Sequence, residues 1–261
     1  MQIIVCVKQV PNTTNVQIDS TTGTLKREGV ESIINPFDEY AIEEAVRLKE
    51  KNGGKTTVIT MGPPQAETAL REALARGIDN AVLITDRAFA GADTWATSYT
   101  LAQAIKTLGQ YDLIICGKQA TDGDTAQVGP GIAEMLDIPH VAYVKKIEEI
   151  KQDSIKVERM MEDGYDLIEM PLPAVITVVK EINTPRIPSL RGMMNAKKAE
   201  ILKLDAAKIN AKKENIGLTG SPTQVMKIFS PPPRPGGEKL NGSIQEMAQK
   251  LVSKLRNHQL I

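Results

Sequence analysis

Short aliphatic runs with no polar alternation recur along the chain, at Ile3 to Val7, Thr57 to Met61, Ala81 to Thr85 and Leu113 to Cys116. Such runs predict strands covered on both faces. Between them the apolar positions shift to a helical period. Ala41, Ile42, Ala45, Val46 and Leu48 share one face behind Asp38, which reads as a helix cap, and Gly53-Gly54 ends that helix. Gln65 to Arg76 repeats the pattern with Ala66, Ala69, Leu70, Ala73 and Leu74 and stops at Gly77. Thr94 to Leu108 predicts a third helix, with Tyr99, Ala102, Ile105 and Leu108 inward, and Val128 to Leu136 a shorter fourth. Strand alternating with helix makes an α/β fold, a doubly wound and mostly parallel sheet whose ligands sit at the C-terminal strand ends.

After Pro139 the alternation stops. Val141 to Ile147, Ser154 to Met161, Tyr165 to Met170 and Ala174 to Val179 are strand-like without intervening helices, and Glu162-Asp163-Gly164 supplies a hairpin turn. Antiparallel strands are therefore expected to extend the parallel core. Ile182 to Asn195, carrying Pro185, Pro188 and Gly192, reads as a long loop and so as a partner contact. SPPPRPGG at Ser230 to Gly237 reads as a semi-rigid linker. Beyond it, Ser243 and Glu246 form a capping box ahead of an apolar stripe of Ile244, Met247, Leu251, Val252 and Leu255. That stripe must dock either on its own domain or on another subunit.

Composition narrows the function. Lys plus Arg balance Asp plus Glu at 32 each and aromatics are only 3%, which argues against nucleic acid and anionic membranes. Cys6 and Cys116 lie far apart in sequence, each inside an apolar run, so buried reduced thiols are expected instead of zinc or a disulfide framework. No metal site is expected. The start, MQIIVCVKQVP, reads as a first strand and not as a signal peptide, and no segment reaches the roughly 20 apolar residues of a membrane span. A cytoplasmic protein is the expectation.

The run LIICGKQATDGDTAQVGPG, Leu113 to Gly131, stops a strand in a glycine-rich loop and restarts as a helix, where unpaired backbone amides attract an anion. It fits neither the Walker A nor the GxGxxG pattern. No paired carboxylate, Ser/His/Asp or metal constellation occurs, and His140 and His258 are the only histidines. No catalytic residue is assigned, and demanding chemistry falls to a cofactor.

Five segments in order resemble the beta subunit of electron transfer flavoproteins: VCVKQVP at Val5 to Pro11, NPFDEYAIEEA at Asn35 to Ala45, GKQATDGDTAQVGPG at Gly117 to Gly131, VERMMEDGYDLIEMPLPAVIT at Val157 to Thr177, and PRIPSLRGMMNAKK at Pro185 to Lys198. The resemblance covers nearly the whole chain. It implies a Rossmann-like nucleotide-binding domain over 1–182, a recognition loop over 183–198 and a C-terminal arm over 199–261 that packs on an alpha subunit. It implies a heterodimer whose alpha subunit carries an electron-transferring FAD, while the beta subunit holds a second adenine nucleotide. That nucleotide is AMP in most members and a second FAD in flavin-bifurcating ones, which take hydride from NADH and split its electrons between two acceptors, ferredoxin being a candidate for the low-potential one. The stretch GDTAQVGP resembles the bifurcating members more.

Carried over position by position, the resemblance puts adenosine and ribose against Cys6, Val7, Lys8, Asn35, Asp38, Met61 and Cys116. The phosphates meet Gly123, Asp124, Thr125, Gln127, Val128 and Gly129, and Gly117 also belongs to the cofactor site. Thr125, Gln127 and the amides of Val128 and Gly129 can donate to phosphate. Asp122 and Asp124 either accept from ribose hydroxyls or simply shape the turn. Leu190 is implied as a hydrophobic anchor for a flavin dehydrogenase, flanked by Arg186 and Arg191, with Lys197 and Lys198 as surface charges that can steer an acidic partner. Two other classes compete with this reading: a non-redox adenine-nucleotide module, and an ATP-cleaving ligase, against which Lys8-Gln9-Val10-Pro11 stands in place of a Ser-Gly-Gly-type loop.

Overall fold

The computed structural model describes residues 1–12, 32–226 and 236–261, and the chain divides into two compact units, 1–226 and 227–261. Unit one is built on a nine-stranded sheet. Its parallel heart comprises β1 (Gln2–Cys6), β4 (Lys55–Met61), β5 (Asn80–Ile84) and β6 (Leu113–Gly117). These are the four aliphatic runs, and strands buried on both faces need apolar residues at every position. Between them lie α1 (Pro36–Asn52), α2 (Glu67–Ala75) and α3 (Thr94–Leu108), with α4 (Val128–Leu136) following β6.

The strand faces divide cleanly. Ile3, Val5 and Val7 join Ile42, Leu70 and Leu113 under α1 and α2, while Ile4 and Cys6 join Tyr99, Ile105 and Ile132 under α3 and α4. A three-layer sandwich results, helices covering both sides.

The second half departs from expectation in one strand. β7 (His140–Ile150), β8 (Ser154–Met161) and β9 (Gly164–Pro171) form the expected antiparallel extension. β10 (Ala174–Val178) does not; it runs parallel to both β6 and β7 and inserts between them. Its AVITV run is fully buried, the signature of a central parallel strand. β11 (Leu202–Leu204), which the sequence pattern did not disclose, adds a parallel edge beside β5. A separate two-stranded sheet pairs β2 (Gln9–Pro11) with β3 (Ser32–Ile34).

Two helix boundaries also differ. α1 starts at Pro36, whose missing N–H and fixed φ suit a first helical position, so Asp38 lies inside the helix and is not its cap. The second half of the expected loop at Ile182 to Asn195 is α5 (Leu190–Lys198), capped by Ser189, whose hydroxyl accepts from the Gly192 amide at 3.0 Å.

In unit two, α6 (Ile244–Asn257) opens with the expected capping box of Ser243 and Glu246. Its apolar stripe is largely uncovered, with Ile244, Leu251 and Val252 exposed. The linker expected at Ser230 to Gly237 lies outside the described residues apart from its two glycines. Among the described residues no helix is long and apolar enough to cross a membrane.

Candidate functional site

From β1 the chain winds outward through β4 to β5, then returns to the other side of β1 for β6. The connections leaving the C-terminal ends of β1 and β6 therefore diverge to opposite faces, and a crevice opens between them. A cavity of ≈ 300 Å³ occupies that crevice. Such a volume is at the lower end of small-ligand sites, about 300 Å³ and upward.

Its lining contains every nucleotide-site residue singled out in the sequence except Asp122 and Asp124. Cys6, Val7 and Lys8 come from the end of β1, Met61 from β4, Cys116 and Gly117 from β6, and Asn35 and Asp38 from the start of α1. Gly123, Thr125, Gln127, Val128 and Gly129 form the opposite wall. Gln127 occupies the N-cap of α4 without a side-chain cap bond, and Pro130 has no amide to satisfy. The first-turn amides of Val128 and Gly129 are thus left for an anion.

Asp38 and Asn35 hold this loop from below. One Asp38 oxygen accepts from the Lys8 amide at 2.7 Å, and the other accepts from Asn35 Nδ2 at 2.9 Å. The Gly117 amide also donates to this carboxylate. Asn35 Nδ2 donates in addition to the Gln119 carbonyl at 2.8 Å, and its Oδ1 accepts from the Thr121 amide at 3.1 Å. Burial pushes the Asp38 carboxyl up to about 7 against the pull of those three donors and of Lys8. These bonds make the pair a brace for the strand ends.

The two remaining acids shape the loop as well. Asp122 pairs with Lys8 Nζ at 2.6 Å, and Asp124 accepts from Gln119 while adopting a left-handed backbone at φ 53°. Ala126 is also left-handed, so the turn stores backbone strain next to the cavity.

Cys6 and Cys116, separated in sequence, are register partners on adjacent parallel strands, buried and unbridged. The neighbouring Cys116 sulfur and then burial push the Cys6 thiol well above its ordinary value, so it stays neutral. The paired sulfurs form a polarizable floor.

The cavity also takes residues that the sequence reading missed. Asp93, Thr94 and Thr97 belong to the start of α3, and Thr94 Oγ1 donates to Gln127 Oε1 at 3.1 Å across the cavity rim. In a doubly wound sheet every strand-to-helix junction opens on the same rim, so the β5–α3 junction was a findable candidate. Lys118 was also missed; it lines the cavity with its ammonium over the Tyr143 ring at 5.2 Å and the Phe37 ring at 5.8 Å.

Leu190 lies apart from the cavity, on α5, with its side chain 73% exposed. Arg191, Lys197 and Lys198 are exposed around it. Arg186 differs from expectation: it turns inward onto Glu43 and Glu50 and does not rim the surface. His140 and His258 are exposed, and within its own unit His140 does not line the cavity. Among the described residues no cluster of His, Cys, Asp and Glu is placed to hold a metal ion.

Residues 22–209 match the electron transfer flavoprotein domain. Across the whole of both chains, the sequence is 55% identical to an electron transfer flavoprotein subunit beta of Thermoanaerobacterium thermosaccharolyticum. It is 51% identical to subunit CarD of the caffeyl-CoA reductase-Etf complex of Acetobacterium woodii, and 45% identical to the acryloyl-CoA reductase electron transfer subunit gamma of Anaerotignum propionicum, again over the full length of each.

Proposed function

This chain belongs to the electron transfer flavoprotein family as a beta subunit, and from that premise we propose that its cleft holds FAD and that it works in a flavin-bifurcating heterodimer. The observation that carries the reading is the uncapped start of α4 facing a cavity at the sheet's switch point. Bound there, FAD supplies an acceptor for hydride from NADH and a donor of single electrons. The amides of Val128 and Gly129, with Thr125 and Gln127, hold its phosphates. Gly123 and Gly129 keep that wall free of side chains, and Cys6, Val7, Met61 and Cys116 give the adenosine an apolar seat. Lys8 and Lys118 balance phosphate charge at the mouth.

The choice of FAD over AMP is supported by the GDTAQVGP stretch and by relatives named for CoA-ester reductase complexes. The alpha subunit carries the second FAD, and the arm ending in α6 packs on it. Leu190 docks a flavin dehydrogenase of the acyl-CoA type, with Arg191, Lys197 and Lys198 steering an acidic rim. Ferredoxin is the low-potential acceptor, and the complex works in the cytoplasm.

Co-purification with the alpha subunit, followed by denaturation and chromatographic counting of released nucleotides, tests the central claim. Two FAD and no AMP per heterodimer are expected. One FAD and one AMP would make this a single-path carrier, and a Leu190→Ala heterodimer with an unchanged KM toward an acyl-CoA dehydrogenase would remove the docking role.

A further inference from the structure

Beyond Asn183, which donates to the Tyr40 carbonyl at 3.0 Å and to Glu44 Oε2 at 2.9 Å, the segment 184–199 is fastened to the body at three places, and its outward surface carries apolar side chains among the exposed charges of Arg191, Lys197 and Lys198. Arg186 forms the first fastening. Its backbone amide and Nε donate to Glu43 Oε2 at 3.0 and 2.8 Å, and Nη2 donates to Glu43 Oε1 at 3.2 Å. The other edge of the guanidinium grips Glu50, Nη1 to Oε1 at 2.6 Å and Nη2 to Oε2 at 2.9 Å. Both carboxylates project from α1. Glu43 is buried, which by itself would raise its carboxyl, yet Arg186 and Arg47 hold it below its ordinary range.

Arg71 on α2 makes the second fastening, donating through Nη1 to the carbonyls of Ala196, Lys197 and Ala199 and so capping the C-terminal end of α5. Close backbone approach makes the third. A side chain at Gly192 would run into the Ala75 carbonyl, so only glycine lets α5 lie this near α2. With Gly192 and Ala196 inward, the opposite face of α5 presents Leu190 and Met194, 73% and 56% exposed, and Ile187 just ahead of the helix is 90% exposed.

An apolar anchor on a segment already immobilised loses little entropy on binding, whereas the same anchor on a free loop must be ordered by its partner. We propose that Arg186, through its fork onto Glu43 and Glu50, is a positioning residue for partner docking: it holds the Leu190 surface in its binding orientation before the partner arrives. Arg186 itself touches neither nucleotide nor partner. The inference rests on the docking role proposed for Leu190, and the test separates the two.

The test uses the intact heterodimer with its flavins. Arg186→Ala, Arg186→Lys, Leu190→Ala and the double variant Arg186→Ala/Leu190→Ala are assayed for reduction by a flavin-dependent acyl-CoA dehydrogenase, for reduction of a small tetrazolium dye that needs no docking, and for bound flavin. Arg186→Lys keeps the charge but loses the two-sided fork, so it serves if the alanine variant does not fold. Arg186→Ala is expected to raise KM for the dehydrogenase about tenfold, with dye reduction and flavin content unchanged. Arg186→Lys should fall between it and the parent. The double variant should be no worse than Leu190→Ala, because an absent anchor cannot be mispositioned.

An unchanged KM in both Arg186 variants, beside a raised KM in Leu190→Ala, overturns the positioning role and leaves docking intact. Multiplying effects in the double variant, or a parallel loss of dye reduction and flavin, would make Arg186 a general structural residue and also overturn it. If Leu190→Ala leaves KM unchanged, the docking reading falls and this inference with it.

Discussion

The carboxylate of Asp38 fills the space that a side chain at Gly117 would need. A Cβ built on Gly117 collides with Asp38 Oδ1 and with the backbone of Phe37 and Asp38. The end of β6 and the start of α1 are therefore in direct contact beneath the cavity, and neither side can yield without moving backbone. Gly117→Ala should destabilise the fold by about 2 kcal/mol, as overpacking of a tight site does, and should release bound nucleotide. Denaturant titration of the purified chain and the nucleotide content of the heterodimer measure the two effects.

Asp38 also makes stability depend on pH. Its carboxyl has an ordinary carboxylate value, about 4, when unfolded, and burial pushes it up to about 7 in the folded chain. Between those values the folded chain holds a proton that the unfolded chain has lost, so this group's contribution declines as pH rises from about 4 through about 7 and is level above. The stability difference between the parent chain and Asp38→Asn should fall over that window by an amount on the order of a few kcal/mol. Urea titrations at a series of pH values give that difference, and one that is constant across the window contradicts the assignment.

Exposure separates residues that hold the fold from residues proposed to meet partners. Ile115 lies in the middle of β6 and is fully buried, so Ile115→Ala should cost about 3 kcal/mol. Leu190→Ala should change stability by less than about 0.5 kcal/mol, because its side chain already faces water. Thermal melts of the two variants, read beside docking assays, show whether the two properties separate as expected.

The apolar stripe of α6 calls for a cover. Ile244 is 83% exposed, and a helix with one apolar face and this much uncovered surface needs a partner. Truncation after Met226 should leave the cooperative unfolding of the remaining chain in place while sharply lowering heterodimer recovery on co-expression with the alpha subunit. Undiminished recovery of a stable heterodimer would exclude the arm as a subunit clasp.

Most elements of the fold were legible because their signals are local. The four aliphatic runs and the helices Thr94–Leu108 and Val128–Leu136 come from local apolar patterning, which acts within a few residues. That this loop lines the cavity was legible for the same reason, since a strand stopping in a glycine-rich loop before a helix leaves first-turn amides open whatever lies around it.

What the tertiary structure decided depends on residues far apart in sequence. AVITV can pair in either direction, and only the space between β6 and β7 made it a central parallel strand. α5 carries Gly192, a poor helix former, yet it is a helix because that glycine lets it pack on α2 and Arg71 caps its end. Asp38 looked like a cap and became a brace because burial brought the Lys8 and Gly117 amides to its oxygens. Cys6 met Cys116, and Arg186 met Glu43, through strand register and helix packing that no local pattern encodes. Local sequence determined most of the elements and the glycine-rich character of the loop; long-range packing determined which side chains line the cavity, which stay exposed and which hold the others still.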